Sequence, residues 1–148
     1  CANPTPEIWP WEAKEAGARI VATGRSDFPN QINNSLGFPG LFRGVLSVRA
    51  RAITDEMCVE AAQALYRYAF SRGLHEEYII PRMEEWEVYV EEAKAVALKA
   101  QEQGLTERVA AAEEIEQEAK KIIERARLLV QEAMERGYIP LPVRENNP

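Results

Sequence analysis

Cysteine and histidine are scarce in this chain of 148 residues: two cysteines, Cys1 and Cys58, and a single histidine, His75. Two cysteines so far apart neither staple a small fold nor supply the closely spaced ligands of a zinc site, so both are expected as free thiols. A lone histidine followed by Glu76 and Glu77 makes no metal triad and is a weak candidate for acid–base work by itself. Long hydrophobic runs are missing too. No stretch approaches the ~20 apolar residues of a membrane span, and no basic start leads into an apolar segment, so the expected location is the cytoplasm. Positive charge is not in excess: 18 basic residues face 24 acidic ones for a net charge of -6, and the basic residues are dispersed. That balance argues against a nucleic-acid partner. The chain also lacks a G-x-G-x-x-G, a P-loop, a nucleophile elbow and a C-x-x-C, so a pyrophosphate-binding loop, if one serves this chain, lies elsewhere.

What is present fits one domain of common size, able to bury about 70% of its unfolded surface. "ANPTPEIWP" resists both helix and ladder, and a short helix over "WEAKEAG" stops at Gly17. "ARIVAT", bounded by Gly17 and Gly24, reads as a buried strand. Helix, strand, polar loop and helix is the rhythm of an α/β fold with a parallel sheet, in which ligands sit beyond the carboxyl ends of the strands.

That position is taken by residues 26–40, "SDFPNQINNSLGFPG", with four side-chain amides, one carboxylate, two prolines and two glycines. Asn33 and Asn34 precede a helical segment, where an Asn ordinarily caps the first turn. The same place suits ligand recognition, because a helix N-terminus favours an anion and a neutral amide beside it can bind a carboxylate or a carboxamide at any pH. One Asn can cap while the other binds. Asn3, held extended by the proline after it, has the same double reading. Asp27 beside Arg25 could bind a ligand but is expected first as a loop ion pair or Asx-turn, and Arg43, a candidate carboxylate partner, is expected first as a solvated helix residue.

From about residue 39 the pattern is helical. Thr54 is the expected N-cap of a helix that stops at Gly73. Trp86, Val90, Ala93, Ala97 and Ala100 form one stripe; Ile115, Ala119, Ile122, Ala126, Leu129 and Ala133 form another. Gly104 and Thr106, the latter a candidate N-cap, join them into an expected antiparallel hairpin, with the acidic runs as solvated faces. "YIPLPVRENNP" is expected to be an extended tail that needs another surface for order.

Taken together, "ANPTPEI", "ATGRSDFPNQINNSLGFPGLFRGVL" and "AITDEMCVEAAQAL" resemble the closing part of the NAD(P)-binding domain of malic enzymes, most closely the short bacterial and archaeal type. The resemblance covers roughly the first half of the chain. It implies an α/β fold: residues 1–73 as the terminal portion of a Rossmann-like domain with one or two strands, and residues 74–148 as an α-helical extension with a helical hairpin. It implies oxidative decarboxylation of L-malate to pyruvate by NAD or NADP, assisted by Mg2+ or Mn2+. Asn3, Asn33 and Asn34 would lie around substrate and nicotinamide, with Asn34 the first choice of the adjacent pair. The family's Tyr and Lys acid–base pair, its metal ligands and its glycine-rich loop find no match here, so no catalytic residue or metal ligand is expected in the chain. Alone it is expected to be inactive: a piece of a longer enzyme, a cleavage product or a splicing-related fragment, completed by the remaining N-terminal portion and assembled as a homo-oligomer. The competing expectation is a non-catalytic helical interaction module in which residues 84–137 bind a partner.

Overall fold

A computed structural model describes Ala2 and residues 4–140. Among the described residues five α-helices follow one another: α1 (Pro10–Glu15), α2 (Phe38–Ser47), α3 (Asp55–Arg72), α4 (Glu87–Glu102) and α5 (Ala112–Glu135), with a single 3-10 turn, Asn34–Leu36, just before α2. No helix among the described residues is long and apolar enough to cross a membrane.

The centre of the packing is α4, which lies against α2, α3 and α5. It is the most enclosed helix because its inward residues are small: Ala93, Val96, Ala97 and Ala100 are fully buried. Close approach is reciprocated by α2. A Cβ added at Gly44 would stand 2.6 Å from the Ala93 carbonyl oxygen and 2.9 Å from Val96 Cβ, and one at Gly40 would stand 2.6 Å from Glu92 Cβ. Only hydrogen fits at either position, so the two glycines set the α2–α4 separation. Around this crossing Leu41, Val45, Val48, Met57, Ala61, Ala110 and Ile115 complete one apolar cluster, so residues on both sides of position 73 share a core.

Thr54 caps α3 as expected: its hydroxyl accepts the Met57 N–H at 3.3 Å, and Gly73 ends the helix at φ +90°. Helices α4 and α5 form the expected antiparallel hairpin. Lys94 meets Glu116 at 2.8 Å near one end, and the Arg127 guanidinium lies over the Trp86 ring near the other. Two details differ. Thr106 does not cap α5, because residues 105–108 are engaged in short backbone pairing with residues 48–51: Arg51 N–H to Leu105 O, Glu107 N–H to Arg49 O and Arg108 N–H to Val48 O. The helix starts only afterwards, at Ala112. On α5 the expected stripe through Ile122, Ala126 and Leu129 is not the one covered. Ile115 and Ala119 are buried and Ile123 packs beside them, while Ile122 and Leu129 are exposed. Only the first half of α5 has a helix above it.

The strand expected over residues 18–23 does not form among the described residues. Thr23 makes one isolated parallel bridge to Gln31, carried by the Ile32 N–H to Thr23 O bond of 2.7 Å, and Ile20 is half exposed. A parallel strand is stabilised by neighbours on both sides and helices on both faces, and no second strand stands beside this segment among the described residues. The sequence has strand character; the pairing that would realise it is absent from these residues.

Candidate functional site

The turn before α2 is built from its amides, and each has a different place. Asn30 is buried and holds a left-handed backbone, φ +56°. Its Nδ2 donates to the carbonyls of Val21 at 3.0 Å and Glu76 at 2.8 Å, and its Oδ1 accepts the Ile79 N–H at 3.0 Å. It fastens the 18–32 segment to residues 76–79 and has no capacity left for a ligand beyond a second lone pair. Asn33 is half-buried and caps the 3-10 turn. Its Oδ1 accepts from Ser35 N–H at 3.0 Å and Ser35 hydroxyl at 2.8 Å, while its Nδ2 donates to Gly24 O at 3.3 Å.

Asn34 differs. It is exposed, and its side-chain amide makes no hydrogen bond to the described residues. The turn that presents it is nonetheless anchored. Leu36, 1% exposed, forms a buried cluster with Val88 and Tyr89, against which Leu65, Tyr68, Ile80, Met83 and Trp86 pack. The Ser35 hydroxyl also contacts Met83 Sδ at 3.3 Å. A free amide is therefore held on a fixed turn at the N-terminus of a ten-residue helix, where backbone N–H groups and the helix dipole favour an anion.

Beneath that turn lies a residue that the reading of the sequence passed over. Glu92 of α4 is completely buried, and neither carboxyl oxygen has a hydrogen-bond partner. Its side chain lies across the first turn of α2, between Gly37 and Gly40. Burial pushes its pKa up to about 8, opposed by the facing backbone N–H groups of Leu41 and Gly40. In the sequence it is one glutamate in an acidic run, read as part of a solvated face. The signal that separates it from Glu91 is its spacing: four residues after Val88 and four before Val96, it stands on the buried stripe.

On the other side of the turn, Arg25 and Asp27 form the expected ion pair, with bonds of 2.8 and 2.6 Å. The Arg25 guanidinium holds the Asp27 carboxyl below the usual range. Arg25 also donates to Pro4 O at 2.7 Å and lies near the rings of Trp9 and Phe28, so it ties the N-terminal segment to the loop. A cleft of about 360 Å3 is lined by Asp27, Asn30, Gln31, Tyr78, Arg82 and Glu84 beside the turn. Tyr78 is pushed up to about 12, by burial first and by its bond to Glu85 second. Arg43, expected in solvent, instead donates to the Ser47 hydroxyl at 3.1 Å and faces Glu118 at 3.7 Å. Asn3 lies outside the described residues, so the structure brings Asn33 and Asn34 together and leaves the third expected amide unplaced.

Comparison with known proteins follows the same segment. Residues 18–104 match the family model described as malic enzyme, NAD binding domain. The bifunctional malic/malolactic enzyme of Bacillus subtilis is 46% identical over 121 residues, 82% of this chain and 30% of its own length. The NADP-dependent malic enzyme of Escherichia coli is 42% identical, over 72% of this chain and 16% of its own length. Among solved structures, the malic enzyme of Entamoeba histolytica superposes with a TM-score of 0.93 at 46% identity, covering 96% of this chain and 30% of that one. The Pyrococcus horikoshii malic enzyme gives 0.83 at 48% identity, over 90% and 30%. The chain thus spans less than a third of the length of these relatives.

Proposed function

The chain belongs to the malic enzyme family, within its NAD-binding domain, and from that premise we propose that it is the closing portion of an NAD- or NADP-dependent enzyme that oxidatively decarboxylates L-malate to pyruvate and CO2. The observation that carries this reading is Asn34: an exposed, unengaged amide on an anchored turn whose other asparagines, Asn30 and Asn33, are occupied by the protein's own backbone. In this reading Asn34 binds a malate carboxylate or the nicotinamide carboxamide, both of which an amide recognises without a change of charge. Asn33 orients it by fixing the turn, and Asn3 supplies a further amide from the segment before α1.

The dinucleotide would accept the hydride that leaves malate. What these residues do is bind and orient, excluding the wrong approach of ring and substrate. No group of three acidic, histidine or cysteine side chains that could hold a metal stands together among the described residues. In this reading the ligands of the divalent cation, Mg2+ or Mn2+, belong to the remaining N-terminal portion together with the acid–base pair and the pyrophosphate loop, and no step through the metal is assigned to this chain. Residues 1–73 close the dinucleotide-binding portion and residues 74–148 extend it as helices. Exposed Leu128, Leu129 and Val130 on the uncovered half of α5 suit burial against another part of a cytoplasmic homo-oligomer.

The test is an assay of the complete enzyme carrying this segment, with L-malate, Mn2+ and either NAD+ or NADP+, following reduced dinucleotide and pyruvate together. Equal formation of both products is expected, and none from this chain alone. Absence of both products from the complete enzyme overturns the reading.

A further inference from the structure

Glu92 is a costly residue to place where it is. A fully buried carboxyl whose oxygens have no hydrogen-bond partner forfeits solvation, whereas the other buried residues of α4, Val88, Tyr89, Val90, Ala93, Val96, Ala97 and Ala100, carry no charge to desolvate. An apolar residue of similar length would fill the space. The location explains what an acid can do there that an apolar residue cannot. Its side chain spans the first turn of α2, with one carboxyl oxygen facing Gly37 and the other beside Gly40, and Gly37 directly follows the 3-10 turn that carries Asn34.

We propose that Glu92 is a positioning residue for the Asn34 turn, seating it when neutral and loosening it when ionised. The inference rests on the reading of Asn34 as a substrate or nicotinamide contact. Neutral Glu92 fits the dry space against Gly40 without a counter-charge. An ionised carboxylate there demands partners, and those within reach are the N–H groups of Gly40 and Leu41. The Leu41 N–H already closes a helical bond to Gly37 O at 3.1 Å, so satisfying the charge means unwinding that turn or admitting water beneath it. Either movement shifts Gly37 and, with it, Asn34. The depth of burial puts the midpoint near pH 8, where such a change is read within the ordinary working range of an enzyme.

The charged and titratable surroundings do not supply another cause. From α2 the contributing groups are the backbone N–H groups of Gly40 and Leu41, with no side-chain charge; no charged group of α3 or α5 shifts Glu92. Arg43 of α2 and Glu118 of α5 pair with one another. On α4 itself Tyr89 is the neighbour that senses it: its phenol is pushed up by burial and then by the Glu92 charge.

The experiment uses the complete enzyme and compares wild type with Glu92→Gln and Glu92→Met, neither of which ionises. KM for malate and for the dinucleotide, kcat, and backbone hydrogen exchange in residues 33–41, corrected for intrinsic exchange rates, are measured from pH 6.5 to about 9.5. For wild type, one or both KM values are expected to rise relative to Glu92→Gln by about tenfold one pH unit above the midpoint, as the seated fraction falls. Exchange in residues 33–41 should rise with the same midpoint in wild type and stay flat in the variants. Identical pH profiles of KM and of exchange in all three proteins would overturn the proposal. So would exchange that titrates in wild type while the KM ratio stays constant, since the carboxyl would then move the turn without positioning anything. If wild type shows no malate turnover, it is the functional reading that fails; the exchange measurement still decides whether Glu92 governs the turn.

Discussion

The α2–α4 crossing joins the two halves of the sequence, the 18–32 segment lies wholly in the first, and they finish differently. The crossing is closed by its own residues: Gly40 and Gly44 on one helix face Glu92, Ala93 and Val96 on the other, with no room for a further methyl group. The 18–32 segment opens on an apolar, β-branched run at residues 18–23, yet it makes one isolated bridge and leaves Ile20 and Ile32 nearly half exposed. A helix satisfies its backbone from within and needs a partner for one face only, whereas a parallel strand needs neighbours for its backbone as well. The difference separates a part of this chain that closes on its own residues from a part that, on the proposed function, would be closed by the remainder of the enzyme.

The comparison is tested most severely at Leu36. It is the buried anchor of the amide turn, so Leu36→Ala is expected to lower stability by about 2–5 kcal/mol, measured by chemical denaturation, and malate turnover should fall with it. Next comes Gly44→Ala. The new methyl would meet the Ala93 carbonyl oxygen, part of a backbone that cannot swing away, and a loss of about 1–3 kcal/mol is expected despite the better helix propensity of Ala. A neutral or stabilising effect would show that the crossing is looser than described.

Glu92 predicts a pH trend in stability. Its pKa is raised from 4.5 to about 8 on folding, so the folded state holds the proton more tightly than the unfolded chain. Its contribution is therefore fully present below about pH 4.5 and is lost as pH rises through about 8. The decline should be at most about 1.4 kcal/mol per pH unit. Denaturation midpoints of wild type against Glu92→Gln across that window isolate it from other titrations. The smallest effect belongs to the open segment: Ile20→Ala in this chain alone should change stability by less than about 0.5 kcal/mol. In the complete enzyme proposed above, where a neighbouring strand would cover that face, the same substitution should cost clearly more. Equal effects in the two settings would remove the distinction between closed and open regions.

The legibility of the sequence follows the same division. The helices, the Thr54 cap, the Gly73 stop and the antiparallel α4–α5 pair depend on local propensity and apolar spacing, and all were readable from those signals. The stripe on α5 was misplaced beyond Ala119 because alanine and isoleucine recur on two adjoining faces, and only the end of α4 decides that Ile123, and not Ile122, is covered. Thr106 has the chemistry of a cap, but long-range pairing with Ala50 claims it. The amide-rich loop was conspicuous as a group; what spacing left open was the division of labour within it, because a cap, a staple and a ligand contact use the same side chain. Glu92 was hidden among glutamates that do face solvent. Its burial depends on Gly40 of α2, which lies some fifty residues earlier in the chain.

The most direct test of the central claim is a steady-state comparison of Asn34→Ala and Asn33→Ala in the complete enzyme, with thermal stability measured on the same preparations. Removing the free amide of Asn34 should lower kcat/KM for malate on the order of a hundredfold and leave Tm essentially unchanged. Removing the Asn33 cap should lower stability by about 1 kcal/mol, with a smaller loss of activity that follows from the loosened turn. Full activity in Asn34→Ala, at unchanged stability, would contradict the assignment of this turn to substrate and nicotinamide binding.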